Sequence, residues 1–367
     1  MSPRERFVRQ MRFERVDRPF HWETLAFWEE TVERWWREGL PPGMRPEQYF
    51  QMEGIVYLPV NCGFTGLPYD PPFERVDLER TERTITYRNS SGIVLRQRID
   101  HPSMSMPQWI KFPVETRADW ERIRDERLDP DKPSRYPDWD EMHRRFDDRD
   151  FPLGLTLCGA YGTPRNCFGE EKLAYVYYDD PELIHEIMRW WLEFYTRVIT
   201  NVTRNFPGLD FVLLWEDMAY KTGPLISPAF VRRFMYPYYE HLIAHINSCG
   251  IDVILLDTDG NAEVLVELFL EAGVNAMCPF EIAAGMEPLP IRKRYGHRLA
   301  MIGGIDKRAV AEGGEAMKKE VMRKVPPLLQ DGGYIPCIDH ATPPDTSFEN
   351  HRAYVELVRE LGEKYGG

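Results

Sequence analysis

The sequence predicts a single-domain α/β protein, a (β/α)8 TIM barrel with an N-terminal helical extension and a β-hairpin insertion. Short apolar runs, typical of buried parallel strands, alternate with stretches of helical character. There are eight such runs, which is the number of strands that closes a TIM barrel. No G-x-G-x-x-G motif follows any of them, which disfavours the alternative of a doubly wound open sheet.

The elements follow one another in a regular order. An amphipathic helix is expected at residues 3–11, and the clearest strand is DVILLDT, a continuous apolar run that ends in an acidic residue. The eight strands are predicted at residues 20–23, 55–61, 153–159, 211–217, 252–258, 275–281, 298–306 and 333–340. The helices between and after them are predicted at 27–38, from 180, from 228 with a break at Pro237, and at 262–272, 288–295, 314–330 and 347–365.

One region, about residues 73–150, lacks the alternation of strands and helices seen elsewhere and is predicted as an insertion into the single domain 1–367. Residues 73–114 alternate with period two on both sides of Ser90-Ser91-Gly92, which indicates a β-hairpin. The charged stretch after it predicts two surface helices, Arg117–Glu126 and Trp139–Asp147.

Composition excludes several classes of function. The 367 residues carry a net charge of −13, which disfavours nucleic acid or an anionic membrane as a partner. The first residues lack the apolar core of a secretory signal, and no apolar run approaches the roughly 18 residues of a membrane span. Six cysteines without C-x-x-C spacing argue against a zinc-ribbon or thioredoxin motif. We therefore expect a cytoplasmic protein.

Acidic residues follow six of the eight predicted strands. They are Glu23, Glu216 with Asp217, Asp257 with Asp259, Glu281, Asp306, and Asp339 with His340 after it. Any one of them is more often a turn or capping residue. In a barrel, however, all strands end at the same face, and crowded carboxylates repel one another unless a proton or a cation lies among them.

Two roles for these residues follow. The first is a metal site of Asp257, Asp259 and His340, with Glu216, Glu281 or Cys337 as further ligands, a mixed set that suits zinc or another first-row divalent ion. The second is a substrate pocket whose polar groups and aromatic rings orient a small molecule. We assign to it Trp22, Glu23, Asn61, Trp215, Asn261 and Asp306.

Five segments, taken together and in order, resemble the uroporphyrinogen decarboxylase superfamily. They are RERF…VDRP, WEDMAYK (215–221), DTDGN (257–261), MIGGID (301–306) and GGYIPCIDH…PPDTSFEN (332–350). The superfamily includes the haem-pathway decarboxylase and cobalamin-dependent methyltransferases, which share a barrel. The resemblance also implies a homodimer.

The resemblance favours the methyltransferase branch over the decarboxylases. The decarboxylases have an R-Q-A-G-R segment whose arginines hold substrate carboxylates, whereas residues 23–28 here read ETLAFW. In the methyltransferases, zinc is held by His-x-Cys-Gly after the fifth strand and by a cysteine after the eighth. Here Asp257-x-Asp259-Gly260 stands at the first position, and His340 takes the place of the last cysteine.

The resemblance thus implies a metal-dependent methyltransferase, with zinc as the expected metal. A methyl group would pass from a small donor, such as an aromatic methyl ether, to a corrinoid on a separate protein. The predicted catalytic residues are Glu216, Asp217, Tyr220 and Lys221. Glu216 would be a further ligand or the general acid for the leaving oxygen, and Tyr220 or Lys221 would orient the substrate. The alternatives are a cofactor-independent decarboxylase of uroporphyrinogen or a related acid, and a non-enzymatic corrinoid or tetrapyrrole binder.

Overall fold

The computed structural model describes residues 1–100 and 106–366; part of the predicted insertion, residues 101–105, lies outside the described residues. The strands are β1 Val56–Tyr57, β2 Val76–Arg80, β3 Thr84–Arg88, β4 Val94–Arg98, β5 Gln108–Lys111, β6 Leu153–Cys158, β7 Phe211–Trp215, β8 Ala219–Tyr220, β9 Gly223–Pro224, β10 Ile254–Asp257, β11 Ala276–Cys278, β12 Ala300–Ile302 and β13 Tyr334–Ile335.

The helices lie before, between and after these strands. They are α1 Pro3–Met11, α2 Glu29–Glu38, α3 Pro46–Tyr49, α4 Arg117–Arg127, α5 Trp139–Phe146, α6 Gly162–Phe168, α7 Glu170–Asp179, α8 Pro181–Asn205, α9 Pro228–Phe230, α10 Tyr236–Ser248, α11 Val266–Ala272, α12 Pro288–Tyr295, α13 Lys307–Glu312, α14 Gly314–Asp331 and α15 Phe348–Tyr365. Among the described residues, none of the helices is both long and apolar enough to cross a membrane.

Seven strands form one parallel sheet in the order β1-β6-β7-β10-β11-β12-β13, which is also their order along the chain. Helices lie between successive strands, as right-handed crossovers of a parallel sheet require. The predicted α/β class and the predicted parallel sheet are therefore confirmed. The irregularity lies just before the position predicted for the break, because a π-helical turn at Val231–Met235 precedes α10, and Pro237 is the second residue of α10.

The predicted first strand, Phe20–Glu23, is wrong. Its backbone bonds to side chains and to a loop instead of to a neighbouring strand. The Phe20 N–H donates to Gln10 Oε1 at 2.8 Å, and the His21 N–H donates to Glu53 Oε2 at 2.8 Å. The Gln10 amide also donates to the carbonyl of Tyr334 in β13, so one buried side chain links this segment to the sheet.

The two faces of the parallel sheet have different partners. Side chains such as Leu214, Leu256 and Met301 pack into the large core with the helices. The opposite face, which includes Leu213, Leu255 and Ile302, packs against Phe7 of α1 and Phe20. A fully buried Phe such as Phe7 contributes about 1.5–3 kcal/mol through removal from water. Helix α1 therefore anchors the N-terminal extension on the inner face of the sheet.

The insertion is larger than the predicted hairpin. Strands β2 to β5 form a four-stranded antiparallel sheet in sequential order. Helices α4 and α5 follow at the positions expected from the charged stretch, and each keeps one apolar side on the core through Trp120 and Phe146.

Candidate active site

Strand register places several predicted residues at one end of the parallel sheet. Asp257 is paired with Trp215 on one side and with Cys278 on the other, so the three lie in one row at the carboxyl ends of β7, β10 and β11. Side chains in such a row share a face of the sheet. We call Asp217, Asp257, Asp259 and His340 the strand-end cluster.

His340 and Asp259 form the most direct contact in the strand-end cluster. His340 Nε2 lies 3.6 Å from Asp259 Oδ2, and both side chains are about one-third exposed. The Ala341 N–H donates to His340 Nδ1 at 2.8 Å. A neutral imidazole that accepts at Nδ1 carries its proton on Nε2. The ring therefore presents an N–H towards Asp259, whose buried Oδ1 has no hydrogen-bond partner among the described residues.

Asp257 lies behind this pair and is almost completely buried. Burial, followed by the neighbouring charges of Asp259 and Asp217, raises the pKa of Asp257 from 3.8 to about 8. Burial also raises the pKa of the Cys278 thiol far above its usual range, with Asp257 adding to the effect. Crowded carboxylates and low solvent access both favour the neutral acid. The Asp257 carboxyl and the Cys278 thiol at this end of the sheet are therefore protonated at neutral pH.

The predicted metal ligands do not form a ready site. Within residues 1–100 and 106–366, no group of three or more His, Cys, Asp or Glu side chains is placed to hold a metal ion. Glu281 accepts the Gly260 N–H at 3.1 Å. Burial raises the pKa of the Cys337 thiol well above its usual range. As they stand, these residues do not fit a three-ligand zinc centre.

Glu216 is fully buried and holds the turn between β6 and α6. Its Oε1 accepts the Ala160 N–H at 2.7 Å, and its Oε2 accepts the N–H groups of Tyr161 at 2.8 Å and Gly162 at 3.0 Å. Burial raises the pKa of Glu216 to about 7, against the lowering effect of these bonds. A Cβ on Gly159 would lie only 2.2 Å from its carboxyl carbon. Both carboxylate oxygens of Glu216 thus accept hydrogen bonds from backbone N–H groups, and the catalytic role of Glu216 stays a prediction.

Asp217 is held in place by a cation. Arg165 Nη1 donates to Asp217 Oδ2 at 2.8 Å, and the Arg165 guanidinium lies over the Trp215 ring, 4.6 Å from its centroid. Phe64 contacts the edge of the same indole, with ring centroids 6.5 Å apart. Trp215 thus forms an aromatic wall beside the strand-end cluster. Asp217 has a positive φ of 45°, which is uncommon for a residue other than glycine.

Glu23 and Trp22 follow Phe20 on the segment that replaces the predicted strand. Glu23 is buried, and its Oε2 accepts the Ile338 N–H at 2.9 Å. Burial raises the pKa of Glu23 from 4.5 to about 8, against the effect of that hydrogen bond. Trp22 is partly buried, with its ring centroid 6.4 Å from that of Phe20. Both residues link the segment to the sheet.

Three other predicted substrate-binding residues bond to nearby backbone groups. The bonds are Asn61 Nδ2 to the Tyr69 carbonyl at 3.3 Å, Asn261 Nδ2 to the Ala284 carbonyl at 2.9 Å, and the Arg308 N–H to Asp306 Oδ1 at 2.9 Å. Tyr220 and Lys221 lie at the exposed β8–β9 turn, where the Tyr220 ring is 68% exposed. Their assignment to substrate orientation stays a prediction.

The structure adds residues that sequence reasoning did not single out. Arg165 is the cation nearest to Asp217, and Cys278 lies beside Asp257. Tyr57 lies close to both Asp257 and Cys278, and burial raises its pKa above the usual range. Period-two alternation in the predicted strands could have found Tyr57 and Cys278, because inward-facing positions alternate. No local signal marks Arg165, which belongs to helix α6.

Comparison with models of known protein families finds a match that covers most of the chain. The family described as uroporphyrinogen decarboxylase (URO-D) matches residues 99–361. Among curated proteins, uroporphyrinogen decarboxylase from Pseudomonas putida is 22% identical over 188 residues, which cover 51% of each chain. The enzyme of that name from Thermus thermophilus is 25% identical over 213 residues, 57% of this chain and 58% of the relative. The chain spans about half the length of the curated relatives it matches.

Comparison with solved structures extends the likeness to the full length. A methyltransferase from Methanosarcina mazei superposes with a TM-score of 0.63 over 98% of this chain and 99% of the other, at 13% sequence identity. At so low an identity, the likeness concerns the fold.

Proposed function

The chain belongs to the uroporphyrinogen decarboxylase family, and from this premise we propose that it is a methyltransferase acting at the strand-end cluster. We further propose that residues 20–28 occupy the eighth position of a closed (β/α)8 barrel. The parallel bridge between Phe27 and Thr342 supports that placement. The methyl acceptor in this proposal is a corrinoid on a separate protein, which would supply a nucleophilic centre.

The observation that carries the proposal is the contact between His340 and Asp259, with Asp257 buried beside them. It provides an N–H donor, an acceptor and a protonated carboxyl at one place. A substrate with several carboxylates would meet repulsion there, because like charges at short distance disfavour binding. The nearby cation, Arg165, is already paired with Asp217. A small neutral or cationic methyl donor suits this environment better.

The reaction proposed breaks the bond between a methyl carbon and the oxygen of a methyl ether. The methyl carbon forms its new bond to the acceptor, and the bonding electrons stay on the ether oxygen, which needs a proton to leave as an alcohol. Asp257 is positioned to supply that proton, while His340 and Asp259 orient the polar end of the donor. Trp215 provides an aromatic surface for a flat donor.

Zinc binding is a separate proposal. Because the predicted ligands do not fit a three-ligand centre as they stand, no step here depends on it. A homodimer and a cytoplasmic location are likewise proposals that rest on family resemblance and on composition.

The test is methyl transfer from 2-methoxyphenol to free cob(I)alamin, followed by the absorbance change to methylcobalamin. We expect turnover by the wild-type protein and a loss of at least about a hundredfold in Asp259→Asn and His340→Ala, since a positioned polar group contributes about that much. Asp252→Asn is the matched control, because Asp252 lies just before the amino end of β10 and pairs with Arg12 at 2.8 Å. The control should keep full activity.

A second candidate, decarboxylation of uroporphyrinogen, is favoured by the names of the curated relatives. Release of CO2 from uroporphyrinogen without methyl transfer would replace the proposal with that activity. Binding of cobalamin or a tetrapyrrole without either turnover would indicate the non-enzymatic binder.

A further inference from the structure

A cavity lies between the N-terminal segment and the last helix. Its volume is about 270 Å3, close to the lower end of the range for small-molecule pockets, roughly 300–1,000 Å3. The described residues that line it are distinct from the strand-end cluster. They include Arg18, His21, Gln51, Arg359 and Glu363, and we call this space the basic cavity.

His21 contributes a hydrogen-bond donor to the basic cavity and no charge. Arg359 Nη2 lies 3.2 Å from His21 Nδ1, so the guanidinium donates to that nitrogen. Burial, then the positive charges of Arg359 and Arg18, lowers the pKa of His21 to about 3. The ring is therefore neutral and carries its proton on Nε2. The described residues offer no hydrogen-bond acceptor to this Nε2 N–H.

The positive charge of the basic cavity is only partly neutralised. Arg18 pairs with Glu53 at 2.9 Å, and Arg6, which also contacts Glu53, has Asp17 as a second partner, so the unneutralised charge is that of Arg359. Arg359 donates to the Phe50 carbonyl, and among the described residues it has no carboxylate within ion-pair distance. Burial and the charge of Arg18 lower the pKa of Arg359, which reports the repulsion between the two guanidinium groups. In a chain of net charge −13, this local excess of positive charge is unusual.

We propose that the basic cavity binds a small organic or inorganic oxyanion, a carboxylate or a phosphate, between Arg18, Arg359 and His21. Guanidinium groups bind both kinds of oxyanion through paired N–H donors. The bound charge would offset the repulsion between the two arginines. Glu363 is the one carboxylate among the described lining residues, and it would accept a hydrogen bond from a hydroxyl group of the ligand.

The position of the basic cavity connects it to the rest of the molecule. The chain runs from His21 directly into Trp22 and Glu23, which contact the sheet. An anion that holds His21 against α15 would therefore fix the start of the segment that carries Glu23. The proposal does not depend on which reaction the strand-end cluster performs.

The experiment is isothermal titration of the full chain with sodium citrate and, separately, with sodium phosphate, each at the same ionic strength set with sodium chloride. We expect saturable binding of at least one of them by the wild-type protein. Loss of a charged hydrogen-bond donor in Arg359→Gln should weaken that binding about tenfold or more. Arg352→Gln is the control, because Arg352 lies on the same helix with its side chain 48% exposed, outside the cavity.

The two titrants show which kind of oxyanion the cavity binds, since tighter binding of citrate indicates a carboxylate ligand and tighter binding of phosphate indicates a phosphate ligand. His21→Phe is a second variant, which removes the Nε2 donor without changing the charge, and it should also weaken binding. Circular dichroism checks that each variant is folded. Absence of saturable binding of both anions to the folded wild-type protein, or unchanged affinity in both Arg359→Gln and His21→Phe, overturns the proposal.

Discussion

Replacement of Glu23 by glutamine should change how stability depends on pH. The folded protein keeps a proton on Glu23 up to about pH 8, whereas an unfolded glutamic acid releases it near 4.5. Unfolding between these values therefore releases a proton, and the free energy of unfolding falls as pH rises. Glutamine has the same shape, its carbonyl can still accept the Ile338 N–H, and it does not titrate.

The size of the effect follows from the shift. Each pKa unit corresponds to about 1.4 kcal/mol. Between pH 5 and pH 8, the Glu23 carboxyl should lower the free energy of unfolding by about 3 kcal/mol. This pH range covers most of the interval between the pKa of Glu23 in the unfolded chain and its pKa in the folded protein. Glu23→Gln should not show this decrease in the free energy of unfolding, and it should therefore be more stable than the wild type at pH 8.

The assay is urea denaturation of both proteins at pH 5, 6, 7 and 8, followed by tryptophan fluorescence. Glu33→Gln, a substitution at an exposed site in α2, is the control and should follow the wild-type pH dependence. Parallel pH profiles for the wild type and Glu23→Gln would show that Glu23 is ionised in the folded protein. The explanation by burial would then be refuted.

Three further results are expected. Gly159→Ala should lower the melting temperature markedly, at a cost of about 1–3 kcal/mol or more, because the new Cβ would overlap the carboxyl carbon of Glu216; an unchanged melting temperature in differential scanning calorimetry would contradict this. The zinc proposal needs the predicted ligands to lie closer together than they do in this structure; it requires about one zinc per chain in elemental analysis of protein purified without chelator, lost in Asp257→Ala and His340→Ala, and absence of zinc even after incubation with the metal would remove it. Light scattering on a size-exclusion column should give twice the chain mass of 43.2 kDa, and a monomer at micromolar concentration would exclude the homodimer.

Much of the fold was predictable because buried parallel strands have a strong local signal. The run DVILLDT predicts a strand, and the structure has β10 at Ile254–Asp257. Phe20–Glu23 has a similar local pattern, but whether a segment joins a sheet depends on distant partners. Its hydrogen bonds go to Gln10 and Glu53, which the sequence alone does not identify as neighbours.

The candidate site was harder to predict than the fold. The rule that functional residues follow strands selects Asp259 and His340, which lie 3.6 Å apart, but it also selects Glu216, which accepts hydrogen bonds from three backbone N–H groups. Capping by a buried carboxylate requires a specific backbone turn, which no spacing in the sequence reveals. The basic cavity is beyond local reasoning altogether, because His21 and Arg359 are separated by 338 positions.

The carboxamide of Gln10 has a consequence for how the molecule opens. It accepts from the Phe20 N–H and donates to the Tyr334 carbonyl, so it takes the place of a peptide group between a loop and the edge of the sheet. A peptide group in a ladder is secured by its neighbours, whereas this amide depends on one rotatable side chain. The edge at β13 is therefore the natural point for local unfolding. Amide hydrogens there should exchange with solvent before those of the central strands. Loss of the two Gln10 hydrogen bonds would then be the first step in separating the N-terminal segment from the sheet.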